Sequence, residues 1–548
     1  MAWVLLILLL VVFILAVLFL FKMDTFQKNS SPTLPPGPRT IPILGNLHIM
    51  DFKRTYKTMI KLSKEYGPIF RLQMGCQEMV VLTGYEMVKE ALVNQAKAFA
   101  ERPIVPIFED YTKGFGVIFA HGENWRQMRQ FSIATLRDYG MGKRIVEDKI
   151  SEECSVLIKT YEVYEGKPFD PARILKAAAA NIIVSFLLGK RFEYEDATLL
   201  RLLELIEESL HLVGTPSVLI YNVFPKLGFL LDGPKKIMKN RKEFHEFIQA
   251  TFLENLKEFD ENNQRTFIDA FLVRQKKENK KSTNSYFHND NLIGVVDNLF
   301  IAGMDTTSNT LYWTLLLMMK YPEVQRKVQE EIAKEIGVRQ PRTEDRFKMP
   351  YTNAVIHEVQ RFADIVPTNL PHATTMDVTI KGFFIPKGMY IIPLLTSVLH
   401  DESQWEKPHE FYPEHFLDSE GKFVKRDAFM PFSAVLTPIL HVPDLGSTRT
   451  RRWQPRHGVQ MSSFASSAGQ HGQILLVLKL FQLWLPLPSL ATMAVSHTQR
   501  ISSLWMFFST QQQKEHASFC LLVSLKLRKV PESSLKYPRI TATACKQF

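Results

Sequence analysis

Ala2 to Phe21 reads AWVLLILLLVVFILAVLFLF, twenty consecutive residues without a charged side chain. A helix of about 20 such residues crosses the ~30 Å hydrocarbon core of a bilayer, and such a stretch has no stable home on a water-facing surface. A cleaved signal peptide would need a basic leading segment, a shorter apolar stretch and a small-residue cleavage site. None of these is present. Lys22, Lys28 and Arg39 follow the run, so the positive-inside rule leaves the bulk of the chain in the cytosol. Residues 1–21 are therefore read as a single-pass transmembrane anchor in the endoplasmic reticulum membrane, and the remainder must fold at a membrane surface.

The next segment, SPTLPPGPRTIPILGN, places Pro32, Pro35, Pro36, Pro38 and Pro42 close together. Fixed φ angles and missing N–H donors favour extended polyproline geometry, so residues 22–46 read as a polar, proline-rich, semi-rigid hinge. A partner-binding PxxP motif is the alternative. Apolar residues at 46% and charged residues at 22% are ordinary globular usage and exclude disorder throughout. The formal charge of +11 suggests nucleic acid until it is located: residues 435–548 hold 13 basic and 3 acidic residues, against 54 and 53 in residues 1–434. The basicity belongs to the tail, and no basic stripe interleaved with aromatics precedes it, which argues against nucleic-acid binding. Cys76, Cys154, Cys520 and Cys545 are far apart and lack CxxC spacing. Neither a disulfide framework nor a zinc ribbon is encoded, and the folded part faces a reducing compartment.

Periodicity predicts a mainly helical chain with small sheets. MVVLTG at 79–84 and MYIIPLLTSVL at 389–399 read as strands. Leu175–Gly189, Ala197–Val213 and Lys239–Leu256 carry apolar residues at helical spacing, and 274–290 reads as a polar surface loop. Residues 291–320 are apolar nearly all round and predict a buried helix. Within it stands Gly303-Met304-Asp305-Thr306-Thr307. A mid-helix glycine costs about 1 kcal/mol relative to alanine, and a buried carboxylate is costly unless paired. Hydroxyls competing for helix carbonyls could open a groove for a small ligand such as dioxygen beside Ala302-Gly303 and Thr306; a purely structural kink is the equal alternative. HEVQRFA, in a helix over Tyr351–Ala363, makes Glu358 and Arg361 i,i+3 neighbours. The same ExxR pattern recurs at Glu123–Arg126 and Glu323–Arg326, so it is weak alone. In HGENWRQMRQF, Trp125 and Arg129 share one helical face, and an indole N–H with a guanidinium suits a carboxylate; packing with the arginine reaching solvent is the commoner fate of such a pair. His400, His409 and His415 lack metal-ligand spacing and read as part of a solvated loop.

The order of these segments is specific. The apolar anchor, PPGPRTIPILGN, KEYGPIF, WRQMR, AGMDTT, EVQR, IPKG, FYPEHF and FMPFSA together resemble a microsomal cytochrome P-450 of family-2 type across residues 1–434. The resemblance implies a cytochrome P-450 fold with residues 47–434 as the catalytic domain, and a haem b cofactor. It also implies a monooxygenase that inserts one oxygen atom from O2 into lipophilic substrates such as fatty acids or xenobiotics. Its electrons would come from an NADPH-dependent reductase, with cytochrome b5 as a further partner. On this resemblance Asp305 and Thr306 are the proton-relaying acid-alcohol pair. Trp125, Arg129 and His372 would bind the haem propionates, and Ala302 and Phe432 would lie against the haem. Glu358 and Arg361 would lock their helix to the loop beneath it, with His415 as a weaker, more pH-sensitive third member where arginine is frequent. Residues around 104–120, 298–302 and 365–369 match loops that line the substrate cavity.

The resemblance stops after Ala434. The family pattern calls for glycine, a basic residue, the iron-ligating cysteine and glycine at 435, 437, 439 and 441; this chain has Val435, Thr437, Ile439 and His441. The thiolate donates the electron density that favours O–O cleavage, and isoleucine has no lone pair. No residue is assigned as a metal ligand. Residues 435–548 read as a divergent basic tail from an alternative exon, a retained intron or a shifted frame. The fold would be incomplete beyond 434, and the alternative to an active monooxygenase is a haem-poor, catalytically inactive membrane protein. A third possibility is a haem-binding protein with altered ligation.

Overall fold

The computed structural model describes residues 34–139, 144–257, 259–261, 264–280 and 285–434. The apolar run Ala2–Phe21 and the tail from Val435 lie outside these residues. Among the described residues no helix is long and apolar enough to cross a membrane.

Helices dominate. In chain order they are α1 (Thr55–Tyr66), α2 (Tyr85–Lys89), α3 (Pro106–Thr112), α4 (Gly122–Asp138), α5 (Arg144–Glu162), α6 (Ala172–Leu187), α7 (Ala197–Val213), α8 (Pro216–Val223), α9 (Asp232–Lys257), α10 (Phe267–Asn279), α11 (Asn289–Lys320), α12 (Pro322–Glu335), α13 (Pro350–Ala363) and α14 (Leu395–Leu399). Helix α7 begins where the sequence signals it: the Asp196 carboxylate accepts from the N–H groups of Thr198 and Leu199. Helix α10 opens with a reciprocal capping box between Thr266 and Asp269. It runs on to Asn279, so the polar segment read as a loop from 274 is helical for its first part.

Six short strands form two sheets: β1 (Ile69–Met74), β2 (Gln77–Leu82), β3 (His372–Ala373), β4 (Val378–Ile380), β5 (Phe383–Ile385) and β6 (Tyr390–Pro393). The larger sheet has order β1-β2-β6-β3, with β1 and β2 an antiparallel hairpin, β6 parallel to β2 and β3 antiparallel to β6. Strands β4 and β5 pair through Lys381-Gly382, both at positive φ, the geometry of a type I′ turn. The run 389–399 is only half strand. It leaves the ladder at Pro393 and becomes α14, because a buried apolar run carries no periodicity that separates strand from helix. The proline-rich segment lies along the sheet edge: the Arg71 N–H donates to the Pro36 carbonyl at 2.7 Å, and Gly45 bridges to Met74.

The core has two main parts. One surrounds α11, which lies along α6 and buries Val295, Leu311 and Met318; the other joins the sheet to the segment Phe416–Met430. Of the three histidines read as a solvated loop, His415 is buried, and His400 is half-buried with its ring stacked on exposed His409, centroids 5.6 Å apart.

Candidate haem and substrate site

Helix α11 stays α-helical from Asn289 to Lys320. The Thr306 hydroxyl donates to the Ala302 carbonyl at 2.7 Å, and Thr310 and Thr314 repeat the bond one and two turns on. The anticipated competition for carbonyls is therefore present, but it does not break the helix. Gly303 serves packing: a Cβ there would lie 2.6 Å from the Ile183 side chain on α6. Asp305 is half-buried. Burial raises its carboxyl above the usual carboxylate range, opposed by the Lys176 charge and a hydrogen bond with Asn309. Lys176 is itself buried and pairs with Glu207 at 2.9 Å. Asp305 thus faces charges on α6 and α7, while Thr306 engages its own helix.

On α4 the Arg129 guanidinium sits 5.5 Å from the Trp125 ring centre, a cation–π pair, and burial lowers its pKa. His372 is buried in β3. Its Nδ1–H donates to the Phe99 carbonyl at 2.7 Å. Burial first, then the positive charge of Arg102, push its pKa down to about 3, so Nε2 carries a lone pair.

Arg102 was not singled out from the sequence, where it is one arginine before a proline. Its Nη1 donates to the carbonyls of Pro371 at 2.8 Å and Leu370 at 3.3 Å. These partners lie 268 and 269 residues away in the chain, so no local pattern could reveal them. Burial pulls its pKa down to about 10, which leaves it a cation at neutral pH. Its neighbour Glu101 is already engaged by the Arg102 backbone N–H and by His121 Nδ1 at 3.1 Å. Among the described residues no carboxylate lies within ion-pair distance of the Arg102 guanidinium.

The Glu358–Arg361 pair is completely buried. Arg361 donates through Nε and Nη2 to the two carboxylate oxygens at 2.7 Å each, and to the carbonyls of Leu399, Pro408 and Glu410 at 2.8 Å. All five of its N–H groups are satisfied. Glu358 also accepts from the Tyr412 N–H at 2.8 Å and from His415 Nδ1 at 3.2 Å. His415 Nε2 accepts from the Lys407 N–H, which fixes the proton on Nδ1. Its bond to Glu358 is longer than those from Arg361. The other two ExxR matches are surface features: Glu123 and Arg126 pair in solvent, and Arg326 pairs with Glu330 instead. Burial, invisible in the motif, separates the three.

The segment 104–120 is pinned to α11, since the Asn298 Oδ1 accepts from the backbone N–H groups of Val117 and Ile118 at 2.9 and 3.0 Å. Asn369 donates to the Ser433 hydroxyl at 2.8 Å. Phe432 is buried.

This helical fold, with its fully buried Glu–Arg lock and a long core helix bearing Ala302 and Thr306, has the architecture of a haem oxygenating enzyme. The family model for cytochrome P450 matches residues 35–434, and the chain belongs to that family. It is of family-2 type. "Cytochrome P450 2K1" of Oncorhynchus mykiss is 48% identical over 401 residues, covering 73% of this chain and 80% of the relative. "Cytochrome P450 2C5" of Oryctolagus cuniculus is 46% identical over 427 residues (77% and 87%), and "Cytochrome P450 2F2" of Mus musculus 43% over 403 residues (73% and 82%). By family the chain is a haem monooxygenase.

The residues present suit haem only in part. A half-buried Arg102 with no carboxylate at ion-pair distance among the described residues, its Nη1 held by two carbonyls, fits the anionic edge of the porphyrin through its remaining N–H donors. The iron side does not fit. Val435–His441, outside the described residues, contain no cysteine; of the described cysteines, Cys76 is exposed and Cys154 is buried in the α5 core.

Proposed function

We propose that residues 1–434 carry the design of an endoplasmic-reticulum monooxygenase for lipophilic substrates, fatty acids and xenobiotics among them. Its limits are an anchor over 1–21, a hinge over 22–46 and a cytosolic catalytic domain over 47–434, with electrons from an NADPH-dependent reductase and cytochrome b5 as auxiliary donor. The observation that carries this reading is the Arg102 cation held against two carbonyls with no carboxylate at ion-pair distance among the described residues. Membrane placement is supported by exposed Ile43 and Leu44 beside the hinge and by exposed Ile220, Leu227, Phe229 and Leu230. The two groups meet where Gly75, whose N–H donates to the Leu44 carbonyl, abuts Val223.

In this reading haem, when bound, supplies the oxygen activation that side chains cannot. Arg102, Arg129, Trp125 and His372 hold its carboxylate edge. Thr306 keeps its proton on the Ala302 carbonyl, and Asp305, held from ionising by burial and eased toward it by Lys176, is the neighbouring acid. Ala302 and Phe432 lie against the ring, and Glu358, Arg361 and His415 fix the segment beneath it.

A second reading is favoured by one observation, the absence of cysteine from residues 429–441. On it, this polypeptide with its basic tail is haem-poor and does not turn over, or competes for the reductase. The test is expression of the full chain with haem counted per polypeptide and a reduced carbon monoxide spectrum. Stoichiometric haem with a thiolate spectrum supports the active reading; substoichiometric haem supports the second. Translating the neighbouring genomic sequence in all frames tests the origin of the tail, since a missing GxxxCxG should lie there.

A further inference from the structure

We infer that this chain recognises tetrapyrroles by their carboxylate edge and not by their metal, so that metal-free protoporphyrin binds as haem does. The inference rests on the reading that residues 435–441 furnish no thiolate. Three features carry it.

The first is donor geometry. Arg102 spends Nη1 on the carbonyls of Leu370 and Pro371, which clamps the plane of the guanidinium. Its Nε and Nη2 have no acceptor among the described residues, and that edge is the fork that takes a carboxylate in two parallel hydrogen bonds. The second is charge count. Arg129, stacked on Trp125, supplies another cation, so a ligand with two carboxylates has two positive partners. Glu101, the nearest acidic side chain to Arg102 in sequence, bonds His121 and acts on Arg102 through its charge without occupying the guanidinium fork. The third is the connection between these cations. Glu101 and His121 link the strand entry bearing Arg102 to the first turn of α4, where Trp125 follows. The two arginines therefore stand on neighbouring, mutually bonded elements.

Against this, residues 435–441 hold no cysteine for iron. A porphyrin's metal adds affinity only if a ligand with a free electron pair is held beneath it, and Val435, Thr437 and Ile439 cannot act so. Recognition then falls to the two carboxylates and the apolar ring, both of which the metal-free molecule shares.

The experiment is a titration of the detergent-solubilised full chain with haem, with metal-free protoporphyrin IX and with its dimethyl ester, followed by tryptophan quenching and porphyrin fluorescence. Haem and metal-free porphyrin are expected to bind within about threefold of one another, and the ester at least about tenfold more weakly, as charge-assisted hydrogen bonds are lost. Arg102→Met should weaken haem and metal-free porphyrin by the same factor, about tenfold to a hundredfold. Arg129→Gln gives an independent variant should the first not fold, and Arg126→Met, on the solvent side of the same helix, is the control. Haem binding more than about thirtyfold tighter than metal-free porphyrin would overturn the inference, because a tail residue would then be holding the iron, and the haem-poor reading would fall with it. Equal binding of acid and ester overturns it by showing that the carboxylates are not read. No binding of either porphyrin overturns it while leaving the haem-poor reading standing.

Discussion

Glu358→Ala is the substitution with the largest effect that can be worked out from the structure. Arg361 is fully buried and takes two of its five acceptor contacts from Glu358 at 2.7 Å. Removing the carboxylate also strips the acceptor from the Tyr412 N–H and from His415 Nδ1. Four donors and one buried guanidinium charge lose their partner together, and the three remaining carbonyls offset only part of that charge. Breaking a buried pair by removing one member costs about 3–5 kcal/mol. That is a third or more of a typical net stability of ~5–15 kcal/mol, so the segment Leu399–His415 should detach from α13 well before the rest unfolds. Urea denaturation of the full chain, followed through Trp405, reads this directly, because its ring lies 5.2 Å from the Arg361 guanidinium carbon. Glu358→Gln keeps an acceptor but loses the charge and should fall between wild type and alanine. The surface pair supplies the comparison: Glu123→Ala should cost under about 1 kcal/mol. If Glu358→Ala costs no more than Glu123→Ala, the assignment of this pair as the lock is wrong.

Three other outcomes follow from particular contacts. Asp364, at the end of α13, accepts from the Thr396 hydroxyl, and its other oxygen has no partner; burial raises its carboxyl from 3.8 to about 7. The folded state therefore holds a proton that the unfolded state releases, so stability present below pH ~4 is lost as pH rises to ~7, by about 4 kcal/mol from this group. Asp364→Asn should flatten the urea midpoint across that window, and an unchanged slope would refute the argument. Gly116 sits at φ +90 with Asn298 Oδ1 2.5 Å and the Gly294 carbonyl 2.9 Å from any added Cβ. Gly116→Ala should cost about 1–3 kcal/mol and speed amide exchange in 111–120, leaving α5 unchanged. His372 is held neutral by burial first and Arg102 second, with its pKa pushed down to about 3; a bound carboxylate offsets only the Arg102 part, so porphyrin binding near neutral pH should take up no proton at this ring. Calorimetry in buffers of different ionisation enthalpy counts protons taken up, and His372→Phe should leave that count unchanged.

Some of the molecule was legible because the determining forces act within a few residues. The Asp196 cap and the leucine spacing define α7 wherever that helix is docked, and the all-round apolar character of 291–320 demands a buried helix. The run 389–399 was not, since β6 and α14 share one apolar composition and only the ladder to β2 and the stop at Pro393 divide them. The groove proposed at Ala302–Thr306 was half legible: the hydroxyl finds the carbonyl as its spacing allows, but packing against α6 keeps the helix whole.

The amino-acid order alone determines what chemistry the chain can hold. It places a long apolar run at Ala2–Phe21, Asp305 and Thr306 side by side in the core helix, and no cysteine in residues 429–441, because functional groups are properties of residues and no fold can supply one that is missing. Tertiary structure decided which of three equivalent Glu–Arg motifs is buried and that the Arg102 guanidinium has no carboxylate at ion-pair distance among the described residues. Both depend on neighbours that folding brings together from distant parts of the chain.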